Sequence, residues 1–238
     1  MTIERFDLQS GRLIAGKYEV LENLGAGWEG EVYLVMERAT GIERVAKLFY
    51  AHADGRGRAV KFYARKLHKL RHCPILIQYL TGERIRIKGA QVNVLISEFV
   101  EGERLSQFVR RQPGRRLTQF EGIHLLHELA AGVEEIHRVG EYHGDLHDDN
   151  IIIRRKGLSF NVKLVDMYNW GRPSAANVRE DVYDLVKIFY DCLGGRRGYH
   201  RLSPEIRWIC SGLKRTLIMD KFRTAGHLRR YIETMEWE

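Results

Sequence analysis

His143-Gly144-Asp145-Leu146-His147-Asp148-Asp149-Asn150 lies between a helical pattern that ends near Val139 and the apolar run Ile151-Ile152-Ile153. The octet reads as a catalytic loop in which Asp145 offers a carboxylate and Asn150, five residues on, an amide. Taken alone, the same two residues also read as caps of a turn after a helix. The remainder of the chain decides between these readings.

The chain has 238 residues, enough to bury a sizeable core in one large domain or two lobes. With 44% hydrophobic and 29% charged residues, its composition is that of an ordinary globular protein. Its longest apolar runs fall far short of the roughly 20 residues a membrane helix needs, and Met1-Thr2-Ile3-Glu4-Arg5 has no apolar signal core. A cytoplasmic location without membrane attachment is expected. Cys73, Cys192 and Cys210 are odd in number and widely spaced, which argues for buried small hydrophobes rather than a disulfide framework or a zinc site. The net charge of +8 favours an acidic or phosphorylated partner. Its basic clusters lack interleaved aromatics, so nucleic acid is not the expected partner.

Working outward toward the N-terminus, Tyr18-Glu19-Val20-Leu21 reads as a strand. Gly25-Ala26-Gly27-Trp28-Glu29-Gly30 reads as a glycine-rich turn and Glu31-Val32-Tyr33-Leu34-Val35 as the returning strand. A dinucleotide-binding G-x-G-x-x-G would open a helix instead. Val45-Ala46-Lys47-Leu48-Phe49 is a further strand. Val60, Tyr63, Leu67 and Leu70 recur at helical spacing over about 59–70. Gln91 to Val100 reads as a strand running into a break at Gly102. Leu105 to Val109 and Phe120 to Val139 are helical, the second with a Thr118/Glu121 capping box and a core face of Ile123, Leu126, Leu129, Val133 and Ile136. His124, His127 and His137 read as surface or satisfied core residues, and no His/Cys/carboxylate cluster has zinc spacing. Ile151 to Ile153 and Val162 to Val165 form a hairpin around Lys156-Gly157, and Asp166 follows its second strand.

Glycine turn, strand lysine, interlobe strand, the Asp145/Asn150 loop and a strand-end Asp166 occur in one order. This order resembles the protein-kinase-like superfamily, and the octet resembles its H-x-D-x-x-x-x-N loop, which aminoglycoside phosphotransferases share. The resemblance implies an α+β bilobal fold: a single kinase-like domain with an N-lobe over 1–99, a hinge over 100–104 and a C-lobe over 105–238. It implies ATP and magnesium (Mg2+) as cofactors. Asp145, Lys47 and His147 would be catalytic, Asn150 and Asp166 would hold the metal, and Gly25, Gly27, Gly30, Val32, Ala46 and Lys47 would surround the nucleotide. The backbone of Glu98 and Val100 would meet the adenine, with Ser97 guarding the back of the pocket.

The departures from the family pattern are as informative as the matches. The helix that should supply a glutamate to Lys47 has none. Asp54, in the Asp54-Gly55-Arg56-Gly57 turn, is the one acidic residue between Lys47 and Pro74, and Tyr63 occupies the inward position. Glu29 or Asp54 is expected to orient Lys47 instead. His143-Gly144-Asp145 lacks the arginine that reads a phosphorylated activation loop, and the Phe and Gly after Asp166 are replaced, Met167-Tyr168 following it. Fourteen residues separate Asp166 from Asp181, without an A-P-E sequence, so the Asn169 to Glu180 segment should leave the acceptor side open. Asp181 to Tyr190 resembles the family helix that begins with Asp, and Lys221 to Ala225 its closing arginine segment. The expected reaction is transfer of the ATP γ-phosphate to a protein Ser or Thr, including autophosphorylation. His147 and the H-G-D-L-H pattern keep a small-molecule hydroxyl as an alternative acceptor, and the missing helix glutamate keeps a nucleotide-binding pseudokinase as another.

Overall fold

The computed structural model describes residues 4–54, 57–157, 159–167 and 171–237. Gly55, Arg56, Tyr168 and Asn169 of the turns expected above lie outside them. The chain divides into two compact units, Met1–His72 with Ile77–Val100, and Cys73–Leu76 with Glu101–Glu238.

The first unit is a six-stranded antiparallel sheet ordered β1-β2-β3-β4-β6-β5. Its elements are β1 (Leu13–Ile14), β2 (Tyr18–Ala26), β3 (Gly30–Glu37), β4 (Ile42–Phe49), α1 (Ala51–Asp54), α2 (Arg58–Lys69), β5 (Tyr79–Ile87) and β6 (Ala90–Glu98). Alternation along the strands sorts the side chains into two faces. Tyr33, Val35, Ala46, Leu48, Val94 and Ile96 share one face and form a buried cluster with Phe6, Ile14 and Tyr50. Residues 32, 34, 45 and 47 point the other way, where Lys47 meets Tyr63 of α2. The glycine turn is tighter than expected, because β2 runs through Ala26 and leaves only residues 27–29 between the strands. Gly30 has to be glycine. A Cβ there would lie 1.8 Å from the Leu48 carbonyl oxygen on the neighbouring strand.

The second unit is mainly helical. Its elements are β7 (Glu103–Arg104), α3 (Leu105–Arg110), α4 (Gln119–Arg138), β8 (Ile151–Lys156), β9 (Ser159–Leu164), α5 (Ala175–Cys192), α6 (Gly195–Gly198), α7 (Pro204–Cys210), α8 (Arg215–Lys221) and α9 (Ala225–Thr234). The capping box of α4 forms as expected: Thr118 Oγ1 accepts from the Glu121 amide and the Glu121 carboxylate accepts from the Thr118 amide. All its expected core residues are buried. The glycines of α4 mark close approaches. A Cβ on Gly122 would meet Leu193 and Phe189, and one on Gly132 would lie 2.2 Å from Ile75 Cδ1.

The Asp181 helix differs from its expectation. Helix α5 begins at Ala175, capped by Ser174, so Asp181 sits in its second turn and residues 175–180 belong to the helix rather than to the connecting segment. Ser174 supplies the N-cap, its hydroxyl oxygen accepting from the Asn177 amide. The three cysteines are free and buried. Among the described residues no helix is long and apolar enough to cross a membrane.

Candidate functional site

In the first unit the site is built at the end of the β3–β4 ladder. Val32 pairs with Lys47 and Lys47 with Leu95, so these residues share a row across three strands. Lys47 is 8% exposed, and a lysine this buried requires partners. Its Nζ lies 2.6 Å from Glu29 Oε2 and packs over the rings of Tyr63 and Phe49 at 5.4 and 5.5 Å. Glu29 is thus a carboxylate that faces Lys47, and it comes from the glycine turn rather than from a helix. Asp54, the other candidate, is engaged elsewhere: it accepts from Asn93 Nδ2 at 2.5 Å and from the Val60 amide at 3.3 Å. Tyr63 presents a ring face to the ammonium where the family pattern has a carboxylate.

The remaining first-unit residues fall into place by strand parity. Ala46 is fully buried in the core cluster, on the face opposite Lys47. Val45, two residues before Lys47, lies on the Lys47 face. Ser97 pairs with Val45 and is buried. The Glu98 amide donates to the Gln78 carbonyl, and Val100 follows the end of β6. Gly25 has φ 154° and donates its N–H to Asn23 Oδ1. Gly27 differs from Gly30 in that a Cβ there would meet nothing within 4 Å, so protein packing does not explain its lack of a side chain.

In the second unit the octet is held from beneath. Asp181, fully buried, accepts from the His143 amide at 2.7 Å, the Gly144 amide at 2.8 Å and His137 Nε2 at 2.9 Å. His143, also fully buried, lies with Nε2 3.1 Å from the Val165 carbonyl, so that nitrogen carries the proton and Nδ1 accepts from the Asp145 amide. The Val165 amide in turn donates to the Asn150 carbonyl. Asp166 follows in the left-handed region at φ 56°, a conformation uncommon for a residue with a side chain. These bonds tie octet and hairpin end into one frame. They bring Asp145, Asn150 and the Asp166 backbone onto it.

Within that frame Asn150 Nδ2 donates to the Asp145 carbonyl at 3.0 Å and to Asp145 Oδ2 at 3.2 Å. Both bonds are made by Nδ2, so Oδ1 is the acceptor atom of the Asn150 side chain. The Asp145 side chain is 61% exposed and accessible to an acceptor. His147 Nε2 stands 3.7 Å from Asp145 Oδ2, and its Nδ1 accepts from the Asp149 amide. His147, Asp148 and Asp149 bring ligand-type atoms within 4.8 Å of one another, a grouping the spacing did not suggest. Ser106 Oγ donates to Asp149 Oδ1 at 2.5 Å. A cleft of about 140 Å³ beside the octet is lined by Ser106, Arg110, His147, Asp148, Lys187 and Asp191.

A family model described as the protein kinase domain matches residues 18–177, from β2 through the octet into α5. The chain belongs to the protein kinase family. ATP and a divalent metal are the general requirement of that family. The serine/threonine-protein kinase pkn2 of Myxococcus xanthus is 31% identical over 160 residues, which is 65% of this chain and 18% of that protein. Cyclin-dependent kinase B2-2 of Arabidopsis thaliana is 27% identical over 184 residues, 73% of this chain and 55% of that one. The chain therefore spans about half the length of its plant kinase relatives. Among solved structures, the Mycobacterium tuberculosis PknI kinase domain superposes with a TM-score of 0.68 at 19% identity, covering 96% of this chain and 97% of that one. The likeness extends the kinase fold beyond residue 177. The residues that reasoning from the sequence did not single out are His143 and Asp181 as a clamp, and Val45 in place of Ala46. Strand parity from Lys47 would have found Val45.

Proposed function

We propose that this kinase transfers the γ-phosphoryl group of ATP to a Ser or Thr hydroxyl of a protein, itself included. The observation that carries the reading is the octet's geometry: a buried Asp181–His143 frame beneath an accessible Asp145 whose neighbour Asn150 is oriented by it. On this reading Asp145 accepts the proton of the acceptor hydroxyl as attack develops, and His147 stands beside it to hold its orientation. Lys47, kept in place by Glu29, binds nucleotide phosphates. The turn from Gly25 to Gly30 covers them, with Val32 and Val45 along the nucleotide and the backbone of Glu98 and Val100 at the adenine. Asn150 and Asp166 offer hard oxygen donors, which suits magnesium as the divalent ion. That ion would supply charge neutralisation between the phosphates.

Residues 1–238 are read as one catalytic domain, with 100–104 linking an N-lobe of 1–99 to a C-lobe of 105–238. The net charge of +8 suits phosphate-bearing or acidic partners. Three buried free thiols suit a reducing, cytoplasmic setting. The H-G-D-L-H pattern, with His147 in place of the family's usual lysine, favours a small-molecule hydroxyl as the second reading of the acceptor.

The test is magnesium-dependent transfer of labelled γ-phosphate, with the chain alone and with a generic basic protein, beside Asp145→Ala and Asp166→Ala. Wild type should label protein and Asp145→Ala should lose at least about a hundredfold in kcat while still binding ATP. Equal labelling by wild type and Asp145→Ala would refute the assignment. ATP consumption without protein label would move the acceptor to a small molecule.

A further inference from the structure

The face of the first sheet opposite Lys47 carries a buried charge that the proposed chemistry does not use. Glu31 is 1% exposed on β3, and burial alone would push its carboxyl up. Hydrogen bonds from Tyr33 and Tyr50 hydroxyls and from the Phe6 and Asp7 amides outweigh that burial and hold it below the usual range. The Leu8 amide donates to the Tyr33 hydroxyl at 3.0 Å. Backbone residues 6–8 are therefore fastened to the sheet through one carboxylate. Phe6, 3% exposed, adds a ring stacked on Tyr50 at 5.0 Å between centroids.

From Tyr50 the contacts lead directly to the glycine turn. The Tyr50 amide donates to the Glu29 carbonyl at 2.9 Å, extending the β3–β4 ladder by one residue. The Tyr50 ring stacks on His52 at 5.5 Å. His52 Nε2 lies 2.8 Å from the Trp28 carbonyl, the His52 ring meets the Trp28 indole edge-on, and Trp28 itself is 70% exposed. An exposed indole at the tip of a turn gains little from burial, so its fixed position comes from His52. Both backbone carbonyls that flank the Glu29 side chain's attachment are thus held, its own by Tyr50, which is anchored to Phe6 and Glu31, and that of Trp28 by His52, which stacks on Tyr50.

We propose that residues 6–8 are a strap that, through Tyr50 and His52, positions Glu29 in the glycine turn and so orients Lys47. In the usual kinase pattern a helix supplies this carboxylate; here the residues that fix it are the strap, Tyr50 just after β4 and His52 of α1. Glu29, Tyr50 and His52 are positioning residues. The functional consequence rests on the kinase reading above, but the mechanical coupling does not.

The test uses the full chain with Phe6→Ala and His52→Phe. The second keeps a ring on Tyr50 and removes only the bond to the Trp28 carbonyl. Amide exchange read by mass spectrometry should rise about tenfold over residues 25–30 and at Tyr50 in both variants, while peptides from 119–138 stay at the wild-type rate. In the transfer assay the KM for ATP should rise about five- to tenfold, with kcat changed less. Glu29→Gln should reproduce that kinetic change without raising exchange over 4–10. Unchanged exchange over 25–30 in His52→Phe, or a rise spread evenly over the whole chain in Phe6→Ala, would overturn the strap. A wild type that binds no ATP would sink the kinase reading, and the exchange data would still decide the coupling.

Discussion

Replacing Asp181 by Asn tests how the catalytic loop is held. Asp181 Oδ2 takes the His143 amide and His137 Nε2, and Oδ1 takes the Gly144 amide. An Asn side chain keeps the shape but has one acceptor atom and one donor. The amide oxygen will take the Oδ2 position, where it satisfies two donors, so the NH2 group faces the Gly144 N–H. A buried unsatisfied donor costs about 1–3 kcal/mol, and turning two charge-assisted bonds into neutral ones costs about 1 kcal/mol each. The sum is about 3–5 kcal/mol, a large share of a typical stability of about 5–15 kcal/mol. Urea unfolding should show this loss at an unchanged slope, and amide exchange over residues 143–150 should rise before that of α4. Phosphate transfer should fall mainly in kcat, because the displaced group is the loop that bears Asp145. A stability loss under about 1 kcal/mol with wild-type exchange in the octet would refute the clamp.

Two further outcomes follow from packing and charge. Burial, then the charges of Asp181 and Asp145, raise the Asp184 carboxyl to about 7, with Lys187 opposing. The unfolded chain releases this proton near 3.8 and the folded chain near 7, so the folded state binds more protons in between. Stability contributed by this group is complete below about 4 and lost as pH rises through 7. Asp184→Asn should flatten that slope and stabilise the chain above pH 7 by roughly 1–2 kcal/mol, the roughly 4 kcal/mol equivalent of the full shift being cut by solvent screening of a part-exposed group. Parallel urea-stability profiles at pH 5 and pH 8 would contradict it. Gly132→Ala puts a Cβ 2.2 Å from Ile75 Cδ1 and 2.6 Å from Ile75 Cβ. The helix-propensity gain of up to about 1 kcal/mol is outweighed by overpacking of about 1–3 kcal/mol, so thermal unfolding should shift down by a few degrees. An equal or higher melting temperature would show that Ile75 yields.

Much of the fold was legible because its signals are local. The capping box of Thr118 and Glu121, the helical spacing of Leu126, Leu129 and Val133, and the glycine turn between two β-branched runs each depend on neighbours within a few residues. The octet stood out for a related reason: Asp145 and Asn150 lie in one short loop whose order is fixed by the chain. That Ala46 faces the core rather than the Lys47 side was not read, although strand parity is also local, because the resemblance was matched by residue type rather than by face. The start of α5 was missed because Ser174, an ordinary polar residue in a short loop, gives a weak signal until its hydroxyl is seen to take the Asn177 amide.

The sequence by itself determined the order of the elements, the α+β class and the set of chemical side chains, since periodicity and turn chemistry are properties of adjacent residues. It also determined that Lys47 lacked its usual helix partner, because an absent glutamate can be read from a list. Only the tertiary structure decided between Glu29 and Asp54. Their separations from Lys47 along the chain permit either pairing, and the choice turned on Asn93, a residue of another strand, drawing Asp54 away while Tyr50 and His52 fixed the turn that carries Glu29.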